Sequence, residues 1–164
     1  MGHPPRERVR DYPRPPALQP CGDHLRVQAL GQLLAETHHS LRVLETFHPP
    51  TYYLPPEALQ LTLLQPSPGA SFCEWKGVAR YFDVVRNGGT AKEQRLRRAV
   101  WSYPDPSAAF RPLAGWFAVY PALMDGCWRN GELIQPQPGG FYGGWISSDL
   151  EGPFKGDPRH PELV

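Results

Sequence analysis

Cys127-Trp128-Arg129-Asn130-Gly131-Glu132-Leu133-Ile134 is the stretch from which the fold is read. Two short apolar runs flank Asn-Gly, the strongest local signal for a two-residue β-hairpin turn, because both central residues must take positive φ. In that register Arg129 and Glu132 face each other across the hairpin and can pair. Downstream, Pro136 to Gly140 is an irregular loop. Phe141-Tyr142-Gly143-Gly144-Trp145-Ile146 then sets three aromatics around two glycines, a pattern of bending or close backbone approach.

Upstream the same grammar repeats. Trp116 to Tyr120 is an apolar run of strand length closed by Pro121, and Val100 to Tyr103 is one closed by Pro104. Ser71–Trp75 and Val78–Arg86 are expected as strands joined by a turn at Lys76-Gly77, with a further turn at Asn87-Gly88-Gly89. Lys92 to Arg98 is basic and is read as starting with one helical turn. Arg42 to Phe47 alternates with period two, a strand stopped by His48-Pro49-Pro50. Tyr52-Tyr53-Leu54 is a short extended piece. Pro55 to Leu59 opens a short helix, with proline in its first turn, that ends before Pro66. Residues 24–47 begin ambiguously. Leu30, Leu33, Leu34 and Thr37 have helical spacing behind a possible cap at Asp23. A hairpin turning near Gly31 fits the same letters.

The composition agrees with a turn-rich β domain. Proline (21) and glycine (16) take just under a quarter of 164 residues, short of the roughly 25–30% of low-complexity chains. Aromatics at 12% supply a core. About seven or eight short strands with little helix imply a sandwich, a barrel or a folded pair of antiparallel sheets. Six prolines in residues 1–22 mark a flexible tail and a strap, Tyr12 to Pro16, anchored by Tyr12 and unable to enter a sheet interior. A single β domain is expected over 23–157, and a C-terminal tail over 158–164.

A net charge of +1 gives no strong field for nucleic acid or an anionic membrane. No run approaches the ~18 apolar residues of a membrane span. The first residues lack a secretory pattern, and Cys21, Cys73 and Cys127 form no CxxC pair. A cytoplasmic chain with reduced thiols, no metal and no cofactor is the expectation. Lys92, Arg95, Arg97 and Arg98 read as a solvated face, so no nucleic-acid partner is expected.

Five words in the chain carry a family resemblance: Glu45 to Tyr53, Ser71 to Tyr81, Trp101 to Pro106, Gly131-Glu132 with Pro136 to Ile146, and Gly152 to Gly156. In order and spacing the stretch from Asp11 to Gly156 resembles the domain of unknown function 427. The resemblance implies a mainly β, compact, tent-like pair of antiparallel sheets with one or two short helices. It also implies that Leu25 to Thr37 is a hairpin bent at Gly31. Zinc-bearing folds of similar topology hold two CxxC pairs, which this chain lacks. The family carries a nucleotidyltransferase label. No P-loop, GxGxxG, HExxH or GxSxG motif is present to supply known chemistry.

Several side chains are candidates for a site. Alternation along Ser71–Lys76 puts Glu74 and Lys76 on one strand face, about 7 Å apart. There they can form a rim ion pair or converge on a ligand. Glu45 and His48 have E-x-x-H spacing, but on a strand ending in Pro-Pro this is no metal pair. Tyr53, Tyr81, Trp101, Tyr103 and Trp145 are apolar bodies with polar tips that can line a pocket for a flat or cationic small molecule. The candidate ligand-binding set is Glu74, Lys76, His48, Tyr53, Tyr81, Trp101, Tyr103 and Trp145. It points to a module that binds an unidentified small molecule. Two alternatives stay open: an enzyme on a small metabolite using Glu74, Lys76 and His48, or a partner-docking protein using the strap or a sheet edge. A homodimer is also open.

Overall fold

A computed structural model describes residues 6–87 and 92–163. The expected turn at Asn87-Gly88-Gly89 lies largely outside them. The strands in chain order are β1 (Glu7–Arg8), β2 (Ala17–Cys21), β3 (Leu25–Ala29), β4 (Gln32–Thr37), β5 (Ser40–Leu44), β6 (Thr51–Tyr53) and β7 (Leu64–Cys73). There follow β8 (Gly77–Arg86), β9 (Gln94–Ser102), β10 (Phe117–Val119), β11 (Gly126–Arg129), β12 (Glu132–Leu133), β13 (Gln135–Pro136), β14 (Trp145–Ile146) and β15 (Leu150–Glu151). Among the described residues the helices are five short 3-10 turns.

The chain is mainly β, as expected. Its antiparallel sheets are ordered β10-β9-β8-β7, β12-β11-β3-β4 and β2-β5-β6, with β13-β14 as a two-stranded piece. The two largest of these sheets have four strands each. Reciprocal hydrogen bonds between Leu54 and Phe117, at 2.7 and 2.9 Å, stitch the end of β6 to β10.

The two hairpins obey turn chemistry. Leu30-Gly31 joins β3 to β4 with φ of 50° and 75°, and Asn130-Gly131 joins β11 to β12 with 49° and 81°. Both residues of each turn are left-handed, matching the strand twist. The helix reading of residues 24–37 fails because Leu25, Val27 and Ala29 alternate into the core, a period of two. Arg129 and Glu132 are register partners, as expected. They do not bond to each other. Arg129 reaches Asp23 at 2.8 Å and Asp149 at 2.9 Å, while Glu132 accepts from Ser148. A second carboxylate within reach from another loop outcompetes the local partner.

Three local expectations differ from the structure. Strand β7 runs through Pro66 and Pro68 from Leu64. It is a sheet edge with a register break between Ser67 and Ala70, where missing N–H donors cost nothing. Gln94–Arg98 is strand rather than helical turn, because Arg95 is held by Asp83 at 2.6 Å and by Gln65 at 3.1 Å. The N-terminal segment is built into the fold from Glu7 onward. β1 pairs with β15, and Val9 and Tyr12 are buried with Leu44 and Leu150. Tyr12 anchors the strap by donating to Glu7 at 2.6 Å. Pro20 enters a sheet, but in β2, at its edge.

Alternation assigns the two faces of the central strands. Tyr52 and Val100 point into the main core beside Leu25, Val27, Leu34 and Trp145. Their chain neighbours Tyr53 and Trp101 point into a second cluster with Leu41, Val43, Tyr103 and Phe110. The site lies against that second face.

Candidate functional site

A cavity of about 430 Å³ opens on the second face. Its floor is Tyr53 from β6 and the register pair Tyr81–Trp101 from β8 and β9. Tyr103 continues β9. Trp101 Nε1 donates to Tyr53 Oη at 3.2 Å, and the Tyr53 and Tyr103 rings lie 6.3 Å apart. Burial raises the hydroxyl pKa of Tyr53 and of Tyr103 far above neutral, so both stay protonated.

One wall is the turn Glu74-Trp75-Lys76. Strand β7 ends at Cys73, so Glu74 and Lys76 do not share a strand face as expected, nor do they pair with each other. The turn is pinned by Ser107, which donates from its backbone to Lys76 O (3.0 Å) and from Oγ to Trp75 O (2.6 Å). Lys76 Nζ then lies 5.9 Å from the Tyr103 ring centre and 5.8 Å from that of Phe110.

A second wall is the loop Glu45 to Pro49, tied down from both chain ends. Thr46 Oγ1 donates to Tyr12 O at 2.6 Å, Phe47 N to Val9 O at 2.9 Å, and Lys155 N to Phe47 O at 2.8 Å. Phe47 takes φ of 67°, which turns the chain so that His48 enters the cavity wall. His48 packs edge-on against Tyr142, ring centres 5.2 Å apart.

Gln137 sets the protonation pattern of His48. Its Oε1 accepts from Gly144 N at 3.2 Å, and its Nε2 donates to Lys155 O at 2.9 Å. That leaves an N–H of the amide aimed at His48 Nδ1, 3.1 Å away. Nδ1 must accept, so the neutral ring carries its proton on Nε2. Nε2 is buried and has no hydrogen-bond partner. The nearest carboxylate, Glu45, stands 3.8 Å off and is also 3.8 Å from Arg14. Burial depresses the His48 pKa, Glu45 opposes this, and the Lys155 and Lys76 charges add to it.

Seven of the eight candidate residues therefore line one cavity: His48, Tyr53, Glu74, Lys76, Tyr81, Trp101 and Tyr103. Trp145 does not. It is 1% exposed and packs in the main core on Tyr52, 4.9 Å between ring centres, because β6 sends Tyr52 and Tyr53 to opposite faces. Gln137, Tyr142 and Lys155 also line the cavity. Tyr142 is a further aromatic with a polar tip, readable as such in the sequence; for Gln137 and Lys155 the available signal is their place inside the fourth and fifth sequence words. Gly143 lines it too, since an added Cβ would collide with the Trp101 indole. This answers the paired glycines. Cys127 is a packing residue whose thiol is pushed up to about 12 by burial.

Together these features define a mainly β domain with an aromatic-walled cavity. The family profile of the domain of unknown function DUF427 matches residues 17–130. The chain belongs to that family. No curated protein matches it. Gln137, Tyr142 and Lys155 lie beyond the matched span. No helix is long and apolar enough to cross a membrane among the described residues.

Proposed function

We propose that this protein is a small-molecule-binding module, its ligand a flat molecule seated over the aromatic floor to which Tyr53, Trp101 and Tyr103 belong. The observation that carries the reading is a cavity with an aromatic floor whose walls carry the charged side chains of Glu74, Lys76 and Lys155. The cavity volume of about 430 Å³ falls in the range of small-ligand sites.

Native mass spectrometry before and after denaturation tests this. After incubation with a small-metabolite extract, a stoichiometric mass excess is expected that denaturation releases and that His48→Phe loses. A bare chain under those conditions overturns the reading.

The enzymatic alternative would use Glu74, Lys76 and His48, with Glu45 3.8 Å from His48 Nε2. Glu74→Gln or Glu45→Gln would then abolish turnover while sparing binding. The docking alternative would use the exposed β7 edge or the strap, where Pro13, Arg14 and Pro15 are exposed while Tyr12 and Pro16 are buried. The three free cysteines support a cytoplasmic, reducing location. We expect no nucleic-acid or membrane partner, and a homodimer remains a proposal for the same spectrum to read.

A further inference from the structure

We propose that the ligand of this cavity is a planar anion, an aromatic ring bearing a carboxylate or phosphate group that pairs with Lys76 and Lys155. The inference rests on the small-molecule reading above and assigns its charge.

Aromatic walls ordinarily suggest a cation. Here the aromatic faces already carry cations belonging to the chain. Arg98 Cζ lies 4.0 Å over the Tyr81 ring. Lys76 Nζ covers Tyr103 and Phe110, and Lys155 Nζ is 5.7 Å from the Tyr142 ring centre. None of these three cations makes a salt bridge among the described residues. Lys76 and Lys155 are half-buried, and each has exchanged part of its hydration for a π face without gaining a counter-ion.

The negative groups at the cavity are placed differently. Glu74 is exposed at the mouth, where water screens it. Glu45 lies 3.8 Å from Arg14 as well as from His48. Lys76 and Lys155 both line the cavity. Such a site offers an anion two half-buried ammonium groups that have no counter-ion among the described residues. A cation would meet Lys76 on the Tyr103 ring and Lys155 on the Tyr142 ring.

The test uses three near-isosteric probes, anionic benzoate, neutral benzamide and cationic benzamidine. Each is titrated up to millimolar concentration against the intact protein, reading quenching of Trp75 and Trp101, which line the cavity. Benzoate is expected to bind about tenfold or more tightly than either other probe, as a charge-assisted hydrogen bond allows. Phenyl phosphate against benzoate distinguishes the two oxyanion sources. Lys155→Met and Lys76→Met should each weaken benzoate severalfold and leave benzamide unchanged, a split that a folding defect would not produce. Glu45→Gln should strengthen benzoate. Preference for benzamidine, lost in Glu74→Gln, overturns the anion assignment and leaves the small-molecule reading intact. Equal binding of all three, or of none, also overturns it; the mass measurement then judges the small-molecule reading by itself.

Discussion

Gln137 Nε2 lies 3.1 Å from His48 Nδ1 and cannot turn its oxygen there. Its amide is clamped by the Gly144 N–H on one side and the Lys155 carbonyl on the other. A residue 89 positions along the chain thus selects the histidine tautomer. The consequence is a donor, rather than an acceptor, at the buried Nε2.

Gln137→Glu reverses that selection. A carboxylate oxygen in place of the amide nitrogen accepts a proton from Nδ1 and favours the imidazolium. Ring nitrogen-15 shifts of His48 should show the Nε2–H tautomer in the natural chain and an added Nδ1–H in the variant. The Lys155 carbonyl also loses its donor, so a cost of about 1–3 kcal/mol is expected in urea unfolding. An unchanged nitrogen spectrum would sink the clamp.

The depressed pKa of His48 makes stability depend on pH in a definite direction. Burial disfavours the folded imidazolium, so the unfolded chain takes up the proton first as pH falls below about 6.5. Unfolding free energy therefore holds above that value and declines as pH falls toward the folded pKa. The carboxylates held low by their partners, such as Asp83 and Asp149, titrate in a more acidic window and do not overlap. Urea midpoints at about pH 7.5 and about pH 5.5 should differ more for the natural chain than for His48→Gln. Equal differences would mean that His48 does not titrate out of its site.

The legibility of this molecule follows from the range of its interactions. Both hairpins could be read because a left-handed two-residue turn is a property of Leu30-Gly31 and Asn130-Gly131 themselves, although the first needed the family resemblance to outweigh helical spacing. Tyr53, Trp101 and Tyr103 could be read as a cluster because aromatic residues on short strands must share the available faces. Trp145 went astray because nothing local tells which face of β6 its loop will meet. Strand β7 was hidden by prolines that only an edge position tolerates, and edge position is a tertiary fact. The clamp on His48 depends on a carbonyl at Lys155 and an N–H at Gly144, which no spacing within one segment could bring together.

Asp83 holds the irregular stretch of β8 against β9. The register slips between Phe82 and Val84, and Arg98 opposite takes φ of 50°. Asp83 Oδ1 accepts from the Arg98 N–H at 2.9 Å, and Oδ2 accepts from Arg95 at 2.6 Å. Burial alone would raise this carboxyl's pKa; those bonds overcome it and hold the pKa below the ordinary range. Asp83→Asn keeps the shape and removes the charge from a side chain only 6% exposed. A loss of about 2–4 kcal/mol is expected in urea unfolding. A loss near zero would show that the bulge is held by packing alone.

Gly143→Ala tests whether the cavity floor is as tightly defined as it looks. The new methyl would fall on the far end of the Trp101 indole, with Cζ3 at 3.0 Å and Cζ2 at 3.2 Å. Trp101 cannot retreat freely, since its Nε1 is bonded to Tyr53 and its ring stacks 4.5 Å from Tyr120. The indole must swing into the cavity or the Gly143 loop must lift. Overpacking of this kind costs about 1–3 kcal/mol. Gly22→Ala is the matched control, because its added carbon meets only His38 O at 3.9 Å and should be near neutral. Near-UV circular dichroism should change for Gly143→Ala and not for the control, and any ligand found by mass spectrometry should be lost with it. If Gly143→Ala keeps both its stability and its ligand, the loop from Gly139 to Gly144 is loose enough to move, and the cavity is shaped by the walls at His48 and Lys76 alone.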